Sequence, residues 1–207
     1  MSGGCLFLIS APSGAGKTSL VKAATEANPE LTVSVSHTTR AMRPGEMDGK
    51  NYHFVSEHTF EQMVDQGEFL EHARVFGNLY GTGRAQVEQT LQQGLDVILE
   101  IDWQGADQVR QRMPQAISIF ILPPNEQTLE QRLRARDSDD EQTIAKRLSE
   151  ARLDMSKAAE FDFIVINDDF DRATRQILAI FTSARLSKTH QLKHNSDVQN
   201  LVQSSIV

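Results

Sequence analysis

Five short apolar runs punctuate the chain, at residues 5–9, 32–36, 97–102, 117–122 and 163–167. Most are apolar or β-branched throughout, the pattern of strands covered on both faces rather than of a half-solvated sheet. Between them stand helical patterns at residues 105–113, 126–136, 140–157 and 172–186, and another helix opens at Ser19-Leu20-Val21. Alternating strand and helix predicts a parallel sheet between helical layers, a three-layer α/β core. In such sheets ligands bind at the carboxyl ends of the strands, where Ser10, Asp102 and Asn167 fall.

Two stretches interrupt the alternation. Residues 37–85 carry the turn signals Arg43-Pro44-Gly45, Asp48-Gly49 and Gly81-Thr82-Gly83, with short aromatic segments such as Tyr52-His53-Phe54-Val55, and read as an inserted lobe. Residues 125–158 read as a hinged helical lid, broken at Asp137-Ser138-Asp139-Asp140, where Ser138 and Glu141 have capping-box spacing. The remaining core comprises residues 1–36, 86–124 and 159–190 of a single domain spanning 1–207. From Lys188 onward the chain is rich in Gln, Asn and Ser, with scattered Leu192, Val198, Leu201 and Val202, so the tail at 191–207 reads as a weak helix or a frayed end.

The first strand runs directly into Ala11-Pro12-Ser13-Gly14-Ala15-Gly16-Lys17-Thr18, and a helix follows. This is the order that wraps a polyphosphate. Gly14 and Gly16 let backbone N–H groups turn inward with no Cβ in the way. Lys17 supplies a mobile charge for the β- and γ-phosphates of a nucleotide, and the Thr18 hydroxyl can ligate Mg²⁺. Ala11 stands where the usual pattern has glycine, the smallest available departure.

Composition narrows the partners. A formal net charge of −7 over 207 residues argues against a general nucleic-acid binder, which needs a basic face. The single cysteine, Cys5, excludes an intramolecular disulfide and a cysteine-clustered zinc site. No apolar run approaches the roughly 20 residues that cross a bilayer, and Met1-Ser2-Gly3-Gly4 lacks a basic leader, so a soluble cytoplasmic protein without a membrane partner is expected. The six histidines show no metal-ligand spacing.

After the glycine loop comes Ser34-Val35-Ser36-His37-Thr38-Thr39-Arg40-Ala41-Met42-Arg43-Pro44-Gly45-Glu46. The pattern S-x-S-x-T-T-R-x-x-R-x-G-E in this position resembles the guanylate kinase family, bacterial type. The likeness continues through Asn51-Tyr52-His53-Phe54-Val55, Phe69-Leu70-Glu71-His72-Ala73, Gly77-Asn78-Leu79-Tyr80-Gly81-Thr82, Ile101-Asp102-Trp103-Gln104-Gly105 and Val165-Ile166-Asn167-Asp168, covering roughly residues 4–185 in the family's order.

The resemblance implies a three-layer P-loop kinase fold that transfers a phosphoryl group from ATP to GMP, with Mg²⁺ as cofactor, in purine nucleotide recycling. It places ATP on the loop from Ala11 to Thr18 with adenine near Asn167, and GMP, with dGMP as a second acceptor, in the inserted lobe. Arg40 and Arg43 match the arginines that bind the acceptor phosphate, a role suited to forked permanent cations, with Tyr52 and Tyr80 assisting. Glu71 matches the glutamate that reads guanine, whose adjacent N1–H and N2–H₂ donors suit one carboxylate. Ser36 and Thr82 match hydroxyl positions near the base. Glu100 and Asp102 end an acidic strand; they are assigned to acceptor binding and to Mg²⁺ through water, with capping of the next helix as the alternative. Arg132, Arg136 and Arg147 match the lid arginines, and Asp137 stands where the family has glycine. Two rivals are a noncatalytic guanylate-kinase-like domain binding phosphorylated peptides and another small P-loop phosphotransferase. Lys17, Thr18 and the lid arginines argue against the first, and Arg40, Glu71 and Tyr80 against the second. The apolar tail residues leave a homo-oligomer open.

Overall fold

The structure, a computed structural model, describes residues 3–75, 77–135 and 141–204. In chain order the elements are β1 (Leu6–Ser10), α1 (Lys17–Ala27), β2 (Leu31–Val33), β3 (His37–Thr38), β4 (His53–Phe54), α2 (Glu57–Asp65), β5 (Phe69–Val75) and β6 (Asn78–Gly83). Then follow α3 (Arg84–Gln92), β7 (Asp96–Glu100), α4 (Trp103–Arg112), β8 (Ile117–Leu122), α5 (Glu126–Arg134) and α6 (Glu141–Ser156). A 3₁₀ turn (Lys157–Glu160), β9 (Phe163–Ile166), α7 (Phe170–Leu186), α8 (Lys188–His194) and α9 (Ser196–Ser204) complete the chain.

Five strands form one parallel sheet in the order β2-β7-β1-β8-β9. β1 lies at its centre, and the two-residue period of a strand splits its apolar run between two cores. Phe7 and Ile9 join Leu20, Val21 and Ala24 of α1 and Ile177 and Phe181 of α7. Leu6 and Leu8 join Val87 of α3 and Ala106 and Val109 of α4 on the opposite face. The expected three-layer arrangement is therefore present. Coverage fails at the edge strand β9, where Phe163, Ile164 and Ile166 are 41–50% exposed despite the apolar run.

A second sheet, ordered β4-β3-β6-β5, interrupts the first. The strand pattern at 32–36 predicts a longer β2 than exists. After Ser34 N–H donates to the Ile98 carbonyl, the chain leaves the main sheet, and by Ser36 its carbonyl accepts from His53 N–H. α2 and α3 are absent from the sequence pattern: each buries only one residue, Phe60 and Val87 respectively, so neither shows a full apolar stripe. The tail beyond Ser187 forms two short helices, neither with a buried residue.

Helix starts follow local chemistry. Ser56, Asp102, Asn125 and Asp169 each accept a backbone N–H three residues on, capping α2, α4, α5 and α7. The Ser138 and Glu141 capping box lies outside the described residues; α6 spans Glu141–Ser156 and tightens into the 3₁₀ turn.

The Phe7 and Phe181 rings, with centroids 4.3 Å apart, tie the central strand to α7. Truncating either leaves a cavity between sheet and helix layer. F181A is expected to lower unfolding stability by about 3–5 kcal/mol, read as a lower urea midpoint at unchanged slope; a loss within experimental error would mean that α7 is not part of the cooperative core.

Candidate active site

The glycine loop joins β1 to α1. Gly14 and Gly16 have φ of 88° and 94°, in the left-handed region that glycine adopts without strain. A Cβ at Gly16 would also lie 2.4 Å from Asn167 Nδ2. That amide is buried, and its Nδ2 donates to the Ala15 carbonyl over 2.8 Å. Arg132, on α5, donates to the Asn167 carbonyl over 3.0 Å and more weakly to the Ala15 carbonyl over 3.4 Å. Asn167 and Arg132 thus brace the loop from behind.

Lys17 lines three cavities, of which two hold most of the motif residues. One, of about 320 Å³, lies over the loop and is lined by Ala11, Pro12, Ser13, Gly14, Gly16, Lys17 and Thr18 together with Arg147, Glu150 and Asp154 of α6. The other, of about 180 Å³, is lined by Lys17, Ser36, Tyr52, Glu71, Tyr80, Glu100 and Asp102. Burial depresses the Lys17 ammonium pKa, opposed by the nearby carboxylates of Glu100, Asp102, Asp154 and Glu71. Asp154 in turn is pushed up to about 6 by burial and by Asp102. Thr18 Oγ1 donates to Glu100 Oε2 over 3.1 Å, joining the first turn of α1 to the end of β7. Asp102 caps α4, its Oδ1 accepting from Gly105 N–H over 2.7 Å, while it also lines the cavity.

Glu71 is the buried acid of the site, 4% exposed. The β5–β6 register sets it opposite Thr82, whose hydroxyl donates to Glu71 Oε1 over 2.6 Å and lies 3.5 Å from the Ser36 hydroxyl. Its other oxygen presses on α4: a Cβ at Gly105 would lie 2.7 Å from Oε2. Gln108 and Arg112 of α4 bond to the backbone of His72 and of Phe69 and Leu70, holding β5 against the helix. Burial raises the Glu71 carboxyl to about 7, against the Thr82 hydrogen bond, with Asp102 adding to the rise.

A third group sits on the turn after β3. Arg40 makes a two-point contact with Glu46 at 2.8 and 3.0 Å, and its guanidinium lies 5.4 Å from the Tyr52 ring centroid. Glu46 also accepts from Arg43 N–H, and these contacts, that with Arg40 first, draw its carboxyl down to about 2. Tyr52 and Tyr80 meet edge to face at 5.8 Å.

The guanylate kinase family model matches residues 4–184. The chain belongs to the guanylate kinase family. Curated guanylate kinases of Pseudomonas fluorescens and Aliivibrio fischeri are 59% and 54% identical to it, each aligned over 92% of this chain and over 92% and 93% of their own lengths. The crystal structure of guanylate kinase from Anaplasma phagocytophilum superposes with a TM-score of 0.73 at 33% identity, over 90% of this chain and 89% of that one.

Within this guanylate kinase family member, the residues singled out by motif do not all converge. Ser36, Tyr52, Glu71, Tyr80, Glu100 and Asp102 line one cavity and Arg147 the other. Thr82 stands behind Glu71, Arg40 is engaged with Glu46, and Arg43 is exposed. Arg132 bonds the loop backbone, and Arg136 lies outside the described residues. Sequence reasoning assigned no role to Glu46, Asp154 or Trp103. Glu46 had a signal, as the last residue of the quoted arginine motif; Asp154 had none, since its neighbours Lys17 and Asp102 are distant in sequence.

The Glu71 carboxyl titrates near 7 in the folded protein against 4.5 in the unfolded chain. Between those values only the native state holds the proton, so this stability is fully present below pH 4.5 and declines as the pH rises through 7. The wild type should therefore lose about 3 kcal/mol relative to E71Q between pH 4.5 and pH 8. Urea unfolding of both proteins across that range measures it, and parallel curves would refute a buried, proton-holding Glu71.

Proposed function

We propose that the chain catalyses ATP + GMP = ADP + GDP through a two-nucleotide site centred on Lys17. The observation that carries this reading is that Lys17 lines both the cavity over the glycine loop and the cavity containing Glu71. ATP occupies the first, with its phosphates on the P-loop from Ala11 to Thr18 and adenine toward Asn167. GMP, or dGMP, occupies the second, in an acceptor lobe of residues 37–85, and residues 125–158 form the lid.

Each residue's task follows from its chemistry. Ionised Glu71 accepts from guanine N1–H and N2–H₂, while the Thr82 and Ser36 hydroxyls lie beside it for the rest of the base edge. Arg40, Arg43, Tyr52 and Tyr80 hold the acceptor phosphate, so Arg40 must exchange Glu46 for the ligand. The attacking phosphate oxygen is already ionised and needs no general base. Lys17 and Arg147 face charge that spreads over the transferred group, where positioning and fixed cations do most of the work. Arg132 supports the loop and, with Arg136, completes the cationic lid.

The hydroxyl and carboxylate oxygens of Thr18, Glu100 and Asp102 are hard donors that fit Mg²⁺, and Thr18 already contacts Glu100. Among the described residues no three His, Cys, Asp or Glu side chains form a metal cluster. When bound, Mg²⁺ neutralises charge on the β- and γ-phosphate oxygens.

The physiological setting is purine nucleotide recycling in the cytoplasm, without nucleic-acid or membrane partners. No helix among the described residues is long and apolar enough to cross a membrane. A phosphopeptide-binding role leaves the loop, Lys17 and Arg147 without a task and is not favoured.

A coupled ADP-release assay over GMP, AMP, CMP, UMP and IMP should show turnover confined to GMP, with weak use of IMP; comparable AMP turnover would overturn the acceptor assignment. E71Q should lower kcat/KM for GMP by about 10–100-fold while narrowing the preference for GMP over AMP. K17A should lower kcat by about 10³-fold or more in a folded protein.

A further inference from the structure

On α4, residues 105, 108 and 112 are spaced by three and by four, so they share one face, and that face meets β5 at the open end of its sheet. Gly105 abuts Glu71 Oε2. The Gln108 amide pairs with both the N–H and the carbonyl of His72, at 3.2 and 2.9 Å. Arg112 Nη1 donates to the carbonyls of Phe69, at 3.2 Å, and Leu70. Helix side chains thus stand where a neighbouring strand would.

The two Arg112 contacts fall on an irregularity of β5. Before it, Phe69 pairs with Gly83 and the Arg84 N–H donates to the Glu68 carbonyl over 2.8 Å; after it, Glu71 pairs with Thr82 and His72 with Gly81. Between the two registers β5 carries one residue more than β6, so Leu70 is the extra residue of a β-bulge. Successive carbonyls of a regular strand point to opposite edges, yet those of Phe69 and Leu70 reach the same Arg112 nitrogen. The Leu70 side chain is buried in the core with Val87, Ala106 and Val109, and Phe60 stacks on Phe69 with ring centroids 4.5 Å apart. Those apolar contacts are non-directional and hold the strand without setting how its peptide groups turn. Arg112 bonds the turned peptides themselves. The consequence falls on Glu71: a ladder continued from Phe69 and Gly83 without the extra residue would set Thr82 against Leu70 and Glu71 against Gly81, which has no hydroxyl to donate.

We propose that Arg112 is a positioning residue for recognition of the acceptor base: by holding the Phe69 and Leu70 carbonyls it fixes the bulge, and with it the register in which Glu71 faces Thr82. The inference rests on the base-reading role of Glu71 given above. Gln108 secures the other side of Glu71 through His72, so the acid lies between two points tied to one helix. The Arg112 charge also favours the ionised carboxylate of Glu71, a smaller effect than the burial that opposes it.

The test is a double-mutant cycle on the full chain with R112M, E71Q and R112M/E71Q, reading kcat and both KM values with ATP and GMP. R112M keeps the aliphatic stem and removes both the donors and the charge. It is expected to raise KM for GMP about tenfold while leaving kcat and KM for ATP within about twofold, because a displaced Glu71 loses the base in ground and transition states alike. In the E71Q background the same change should raise KM for GMP no further. R112K should match R112M, since its ammonium keeps the charge but ends one bond short of Nη1. An equal rise in KM for GMP in both backgrounds, a parallel rise in KM for ATP, or an unchanged KM for GMP in R112M overturns the role of Arg112 while leaving Glu71 in its own. An R112K enzyme with wild-type KM for GMP reduces Arg112 to its charge and overturns its hold on the register. An E71Q enzyme with wild-type kcat/KM for GMP overturns the base-reading role of Glu71 and the inference with it. If R112M does not fold, R112K runs the same cycle with the same outcomes.

Discussion

Four carboxylates, Glu71, Glu100, Asp102 and Asp154, are kept in the field of one half-buried ammonium, that of Lys17. Left alone, so many acids in one cleft would repel one another and lose hydration, and burial by itself pulls the lysine pKa down. Together they hold a charge balance that neither sign could hold in a dry cleft. The surrounding architecture is arranged to keep them in reach. The Thr18 hydroxyl ties α1 to Glu100, and the Asp102 carboxylate is spent in part on the cap of α4. The elevated pKa values of Glu71 and Asp154 are the residue of this compromise.

Glu71 shows how a buried acid is held at the expense of stability. Its carboxyl is buried by the β5–β6 hairpin and by α4, with Thr82 as its hydroxyl donor, and its second oxygen abuts Gly105. A glycine is needed there because any side chain would collide with that oxygen. A base edge with two donors supplies the hydrogen bonds that an ionised carboxylate in this position requires, while a base edge lacking them leaves a buried charge unsatisfied. The Arg40–Glu46 contact is the opposite case, a guanidinium fork held in shape by an internal carboxylate of matching geometry.

Much of the main sheet was legible in sequence because it depends on local pattern. The run at 117–122 is β8 residue for residue, and the helical pattern at 172–186 is α7 less its first two residues. Local pattern is silent where burial is slight or pairing is distant. α3 buries only Val87, and β3 and β4 are two-residue strands whose existence depends on partners at 53–54 and 80–81. The glycine loop was readable from its spacing alone. Glu71 and the residues around it stood out only through the ordered family motif, since Glu71 by itself is one acid among 28 acidic residues.

By itself, then, the sequence determined the parallel α/β core, the loop that follows its central strand and the set of residue types brought to the cleft, because periodicity, glycine conformation and motif spacing act between near neighbours. Only the tertiary structure decided what those residues do to each other. Asn167 meets Ala15 across 152 positions, Trp103 meets Lys157 across a strand and two helices, and Arg132 faces the loop backbone. Those contacts depend on how sheets and helices stack, and stacking is set by the whole buried surface rather than by any segment of it.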